Sequence, residues 1–426
     1  MGLGSKAVRA VYGVLTVQII GVVVFAISYN SLDFHIYWEG GRVAGDGVRL
    51  YREQLVAHWF TNTPFMASLF VPISWVPLGV ARVAWQLGSV AAFGWAWVST
   101  LKLGGFRCTR GRVAAVVAAG LFLQPMWQSI FLGQINPLLL AIVLADVRLV
   151  AAGRRSAGIG IGVAAAIKLT PAIFVVMLLL AGRVRAAVVA AGTFAACGLA
   201  AFAIAPEASR VYWGGVFLDT SRVGVPYVSN QSPFGAAARL LGGPDRVGGW
   251  YPVVPLVLGA IGLAVAVAWA RRNDWLAAAA VTGATGLLVS PISWAHHWVW
   301  VVPALVVLVR HGRRWWAAGA YVLFCLSPLW WMPREYGFHG PATIVINCYL
   351  LSGLGFVGYL AWALRRTGAG VGAGVGAGVG TGVGAGAGAQ ELEHLVDLSR
   401  TGLDEPLGEA LGLRVDAGGH LAAGHL

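Results

Sequence analysis

The ionisable side chains that stand out in this sequence are an aspartate at position 33, a lysine at 168 and adjacent histidines at 296 and 297. Each sits at the end of a long apolar run or at a break in one, where keeping an ionisable group is costly and so points to function. A carboxylate in such a place can take a proton from a hydroxyl as it attacks an electrophilic carbon. A lysine or histidine can stabilise a departing phosphate, whose charge grows in the transition state. Around them lie Tyr37 and Glu39 in LDFHIYWEGG, Gln134 and Asn136 in FLGQINP, Asn230 and Gln231 in VSNQSPFG, and Trp294 in SPISWAHHWVW. Aromatic rings stack on sugar faces and amides hydrogen-bond hydroxyls. The chemistry this set would suit is sugar transfer from a lipid phosphate.

Each residue also has a plainer role. Asp33 can cap a helix, Glu39 can be solvated, and Gln134 and Asn136 can satisfy backbone at a proline turn. Adjacent histidines on a helix point roughly 100° apart, so at most one of His296 and His297 is expected to face a cleft. What favours a site is that all of these residues fall at one side of the apolar runs.

Those runs must position them. The chain has 426 residues, 58% of them apolar, with 19 tryptophans. Repeated apolar stretches of about 20 residues, joined by short basic or aromatic loops, predict an all-α polytopic membrane protein. The formal charge of +13 does not indicate nucleic acid, because the basic residues form short clusters between apolar runs, as orientation signals do. Four scattered cysteines form no C-x-x-C pair and predict neither a zinc site nor a disulfide framework.

Lys6 and Arg9 precede a first apolar stretch too long for a signal-peptide core, so it reads as an uncleaved first helix with a cytoplasmic N-terminus. Asp33 then emerges on the outer face. Later basic clusters predict about ten spans: 8–29, 80–101, 113–131, 136–150, 186–205, 252–270, 275–290, 298–310, 316–333 and 341–364, with both termini cytoplasmic. The run 156–182 carries arginines at both ends and AAAIKLTPAIF at its centre. A re-entrant pair of half-helices breaking at Lys168–Pro171 restores the charge alternation; a single kinked helix with snorkelling arginines is the alternative. The stretch PFMASLFVPISWVPLG is too short and proline-interrupted to span and is expected to lie in the interface. Longer outer loops than inner ones predict an outward-facing cleft. Residues 1–366 form the membrane domain. Residues 367–426 are expected to be a Gly/Ala/Val-rich linker and an acidic cytoplasmic tail, with a short helix near Glu391–Leu398.

DFHIYW, TNTPFMASLFVPISWVP, GQINPLLL, AAAIKLTPAIF, SNQSPFG and LVSPISWAHHWVW occur in that order. Together they resemble the actinobacterial polyprenol-phosphate-mannose-dependent alpha-mannosyltransferases, glycosyltransferase family 87. The resemblance covers about residues 1–366. It implies a GT-C membrane fold and transfer of mannose, with inversion, from polyprenol-phosphate-mannose to a mannolipid or glycan acceptor on the periplasmic side. It further implies a catalytic role for Asp33, a donor-phosphate role for Lys168 and a place in the site for His296 and His297, leaving open whether aspartate or histidine is the base.

No D-x-D, P-loop, G-x-S-x-G or H-E-x-x-H occurs, so neither a metal nor a cofactor is expected. The partners expected are membrane lipids, the lipid-linked donor and the acceptor. Two other functions fit the residues: a transporter or lipid-sugar flippase, and a transferase using another polyprenol-phosphate sugar. A transporter would place charges at mid-membrane between repeated halves; here the polar groups favour one face.

Overall fold

The computed structural model describes residues 5–332 and 340–376, with a short antiparallel pair formed by Arg414–Val415 and Leu421–Ala422. The acidic tail and the helix expected near Glu391–Leu398 lie outside the described residues. So does the Gly-Ala-Gly-Val repeat beyond Gly376.

The chain is a helical membrane protein. Its first helix, α1 (Ser5–Ser28), ends where Arg82 donates to the Ala26 carbonyl at 2.6 Å, a basic group satisfying a helix C-terminus. A polar excursion follows: α2 (Leu32–Arg42), α3 (Gly47–Arg52), the hairpin β1 (Gln54–Leu55) and β2 (His58–Trp59), and α4 (Pro64–Ser74). α4 corresponds to the stretch expected at the interface, and Trp75 at its end is 79% exposed. α2 and α4 touch at Gly41, where a Cβ would collide with the Phe70 backbone. That glycine lets the two helices close on each other.

The bundle continues with α5 (Leu78–Leu103), α6 (Arg110–Gly120), α7 (Gln124–Leu132) and α8 (Asn136–Ala151). The expected span at 113–131 falls on α6 and α7, which meet at 80°. Pro125 in the first turn of α7 explains the restart, since a proline there loses no helical hydrogen bond.

α9 (Ile159–Ile167), a 3-10 turn at Thr170–Ala172 and α10 (Ile173–Leu180) lead into α11 (Val184–Ile204). The helix breaks at the predicted Lys168–Pro171. Arg185 donates to the Arg155 carbonyl at 2.7 Å, and a Cβ on Gly158, which has φ +108°, would strike the Ala186 carbonyl. α9 therefore starts beside the first turn of α11, and α10 ends at the turn from which α11 begins. The segment leaves and returns at the same end of α11, so α9 and α10 form a helical hairpin. Asp146 of α8 holds its near end, accepting from the amides of Gly158 at 3.0 Å and Ile161 at 2.9 Å, two of the free donors of a helix N-terminus.

Next come α12 (Pro206–Trp213), α13 (Pro233–Leu241), α14 (Val253–Arg271) and α15 (Trp275–Val289). α15 is buried on every side from Trp275 to Leu288 and forms the centre of the core, as a helix apolar all round must. The expected span at 298–310 begins as a 3-10 turn, Ala295–Trp300, before α16 (Val301–Arg310). α17 (Arg314–Leu326) ends short of the expected 333, and α18 (Pro341–Ile346) and α19 (Cys348–Gly376) divide the expected 341–364. Among the described residues, Lys6–Ser28, Val184–Ile204, Val253–Arg271 and Cys348–Arg366 are long and apolar enough to cross a membrane alone, and the bent α6–α7 pair makes a fifth if it counts as one span.

Candidate active site

A cavity of about 1260 Å³ opens where the first polar excursion, the tip of the α9–α10 hairpin, the segment between α12 and α13, and the 290–297 turn converge. Asp33, Tyr37, Gln134, Lys168, Trp294, His296 and His297 all line it. Residues up to 264 positions apart in sequence thus line one cavity, brought together by a helix start, a linker, a helix break and a 3-10 turn.

Asp33 lies in the first turn of α2, where the helix dipole favours negative charge. Burial raises its carboxyl above the ordinary carboxylate range, and a hydrogen bond from Gln134 and the charge of Lys168 oppose that rise. The carboxylate is therefore more basic than one in water, the direction a proton acceptor needs. Gln134 is itself fixed by the Tyr37 hydroxyl, which donates to its Oε1 at 2.8 Å. Tyr37 and Gln134 therefore hold Asp33 in place as well as lining the cavity.

Lys168 sits in extended backbone at φ −148°, ψ 129°, at the end of α9. Its Nζ is 3.0 Å from His297 Nε2 and donates to Asn136 Oδ1 at 3.4 Å. With the ammonium as donor, His297 presents its unprotonated nitrogen to it. The Asn136 amide donates in turn to the His296 carbonyl at 2.9 Å. Asn136 faces a small adjoining pocket of about 40 Å³, so it sets the position of Lys168 and of the histidine turn without lining the large cavity.

The expectation that only one histidine would face the cleft is corrected. Both line the cavity, with ring centroids 4.7 Å apart and planes at 85°. The 3-10 turn, tighter than an α-helix, carries them. His296 is 6% exposed, and neither of its ring nitrogens has a hydrogen-bond partner among the described residues. A buried imidazole in that state has unused hydrogen-bonding capacity for a ligand.

Besides Asn136, three expected substrate contacts are not placed as such. Glu39 does not line the cavity; it pairs with Arg42 at 3.2 Å on the outside of α2. An exposed pair of this kind contributes little, so Glu39→Gln is expected to keep catalytic activity and thermal midpoint at wild-type values, within about twofold for the rate. Asn230 and Gln231 also lie off the cavity lining. Asn230 donates to the carbonyls of Val225 and Pro291 and accepts from the Ser293 amide at 2.9 Å. Gln231 donates to Val228 and Ile346 carbonyls and accepts from the Tyr349 amide. Their amides are occupied in fixing the loop beside Trp294, with which Asn230 forms a β-bridge.

The sequence reading missed His58, Trp59, Asp219, Arg222 and Tyr227, all of which line the cavity. The available signal was Arg222 itself, an arginine in a long loop away from the basic clusters that set orientation. Among the described residues, no group of three or more His, Cys, Asp or Glu side chains is placed to hold a metal ion.

The family model for Glycosyltransferase family 87 matches residues 60–291. A polyprenol-phosphate-mannose-dependent alpha-(1-2)-phosphatidylinositol pentamannoside mannosyltransferase from Mycobacterium tuberculosis (strain CDC 1551 / Oshkosh) is 32% identical over 353 residues, 78% of each chain. A polyprenol-phosphate-mannose-dependent alpha-(1-2)-phosphatidylinositol mannoside mannosyltransferase from Mycobacterium tuberculosis (strain ATCC 25618 / H37Rv) is 30% identical over 401 residues, 85% of this chain and 91% of the relative. A pentamannoside-acting enzyme from Mycolicibacterium smegmatis is 32% identical over 349 residues, 78% of this chain and 81% of the relative. No solved structure matches the chain significantly.

Proposed function

Because the chain belongs to glycosyltransferase family 87, we propose that it transfers mannose from polyprenol-phosphate-mannose to a phosphatidylinositol mannoside, with inversion, in the cavity lined by Asp33 and Lys168. The observation that carries this reading is the pairing across one cavity of a desolvated carboxylate with an ammonium held by His297 and Asn136. The relatives' names supply the donor, the acceptor class and an α-(1-2) bond.

In this mechanism the Asp33 carboxylate takes the proton from an acceptor hydroxyl as its oxygen bonds to the anomeric carbon. The bond from that carbon to the phosphate oxygen breaks, and its electron pair leaves on the phosphate. Lys168 meets the charge that grows there. A single displacement from the opposite face inverts the anomeric centre. His296 offers its free nitrogens to the transferred sugar, and Trp294 and Tyr37 bound the space it occupies. No resident metal or cofactor enters the scheme.

The same reading gives about ten spans, with the shorter apolar helices crossing as members of the bundle. It puts both termini in the cytoplasm and opens the cavity to the periplasmic side. The basic clusters at Arg148/Arg154/Arg155, Arg183/Arg185 and Arg310/Arg313/Arg314 support that orientation.

The test is transfer of radiolabelled mannose by membranes containing the protein, from polyprenol-phosphate-mannose and, separately, from GDP-mannose, to a phosphatidylinositol mannoside. Product from the lipid donor alone is expected. No product with any acceptor, together with movement of the lipid-sugar across sealed vesicles, would replace the transferase with a flippase.

A further inference from the structure

The cavity has a second cationic side chain, remote in sequence from the first. Arg222 lies between the 3-10 turn that follows α12 and Tyr227, and lines the same cavity as Asp33 and Lys168. Its guanidinium sits 4.9 Å over the ring of Trp59, and its Nη2 donates to the Phe60 carbonyl at 3.3 Å. Its Nε is buried with no hydrogen-bond partner among the described residues. The neighbouring carboxylate, Asp219, does not pair with it: the amide and hydroxyl of Ser221 engage Asp219 at 2.9 and 2.6 Å. His58, beside Trp59 on β2, lines the cavity at the same place. Arg222 is thus a half-buried cation held rigid by stacking, with donor capacity to spare and no ion pair among the described residues.

A desolvated cation without a counter-charge is unfavourable until an anion arrives. A stacked guanidinium with free N–H groups matches the oxygens of a phosphate ester. The reaction proposed above, on which this inference rests, brings two such esters into one cavity. The donor's phosphate is attached to the reacting carbon and must lie against Lys168. The acceptor's phosphodiester joins inositol to glycerol, away from the reacting hydroxyl, and needs a separate partner. We propose that Arg222, seated on Trp59, binds the phosphodiester of the acceptor lipid and so selects phosphorylated over neutral mannosides. It is a specificity-determining residue, remote from the reacting atoms.

The experiment compares purified wild type, Arg222→Gln and Arg222→Lys on two acceptors, a phosphatidylinositol mannoside and the uncharged octyl α-mannoside. Arg222→Gln is expected to raise KM for the phosphorylated acceptor by about tenfold or more, the loss of hydrogen bonds to a charged group. KM for octyl α-mannoside and for the donor should stay at wild-type values, and Arg222→Lys should recover part of the loss. A rise in donor KM instead would assign Arg222 to the donor phosphate and overturn the proposal. Equal weakening of both acceptors, or no change, would overturn it too. If the wild type transfers to neither acceptor, it is the preceding reading that fails. Retention of phosphatidylinositol mannoside by the purified proteins in native mass spectrometry then decides this one: loss confined to Arg222→Gln supports it, and equal retention overturns it.

Discussion

Asp33→Asn lowers the rate of mannose transfer by about 10²–10⁴-fold, the range of a removed general base, with protein abundance unchanged. Asparagine keeps the shape of the side chain and can still hydrogen-bond Gln134, so α2 and the cavity wall keep their geometry. What disappears is the capacity to accept a proton. The pH profile separates this from a packing effect. Burial raises the Asp33 carboxyl, so in the wild type the active, ionised form is lost as pH falls through a value above the ordinary carboxylate pKa of about 3.9. Single-turnover transfer across pH is therefore expected to show an acid limb in the wild type and none in Asp33→Asn. An asparagine variant that retains wild-type turnover removes the base from Asp33 and leaves the histidine turn as the candidate.

Lys168→Met is expected to lower kcat by about 10²–10³-fold, as removal of one preorganised charge from a developing anion does. Methionine preserves most of the stem that passes between Asn136 and His297 while deleting the ammonium that contacts both. Steady-state kinetics in donor concentration distinguish two roles. A fall in kcat means that Lys168 acts mainly in the transition state; a rise in donor KM at constant kcat would make it a ground-state clamp on the phosphate. Wild-type values for both constants would exclude Lys168 from the chemistry.

Much of the architecture was legible because the signals were local. Pro171 after Lys-Leu-Thr marked the helix break, and it falls within the predicted four residues. Hydropathy alone overran α6 and α7, although Pro125 already signalled a helix start inside the run. The site was legible in part. Asp33, Lys168 and the histidines, which line the cavity, were singled out because ionisable groups at the edges of apolar runs are costly, and that cost is visible in sequence. Asn230 and Gln231 have the same residue types as substrate-binding amides, and only their hydrogen bonds show that they are spent on backbone. Arg222 carried one faint mark, its isolation from the basic clusters that set orientation. Its significance comes from Trp59, more than 160 positions earlier, and from the engagement of Asp219 by Ser221.

Thr63 caps α4 and also donates through its hydroxyl to the carbonyls of Ala166 and Ile167, which the break at the end of α9 leaves free. α4 in turn abuts Gly41 of α2, the helix that carries Asp33. The hairpin bearing the ammonium and the helix bearing the carboxylate are therefore fastened through one threonine and one glycine. The spacing between Asp33 and Lys168 is therefore set through the protein's own joinery, by contacts between helices far apart in sequence.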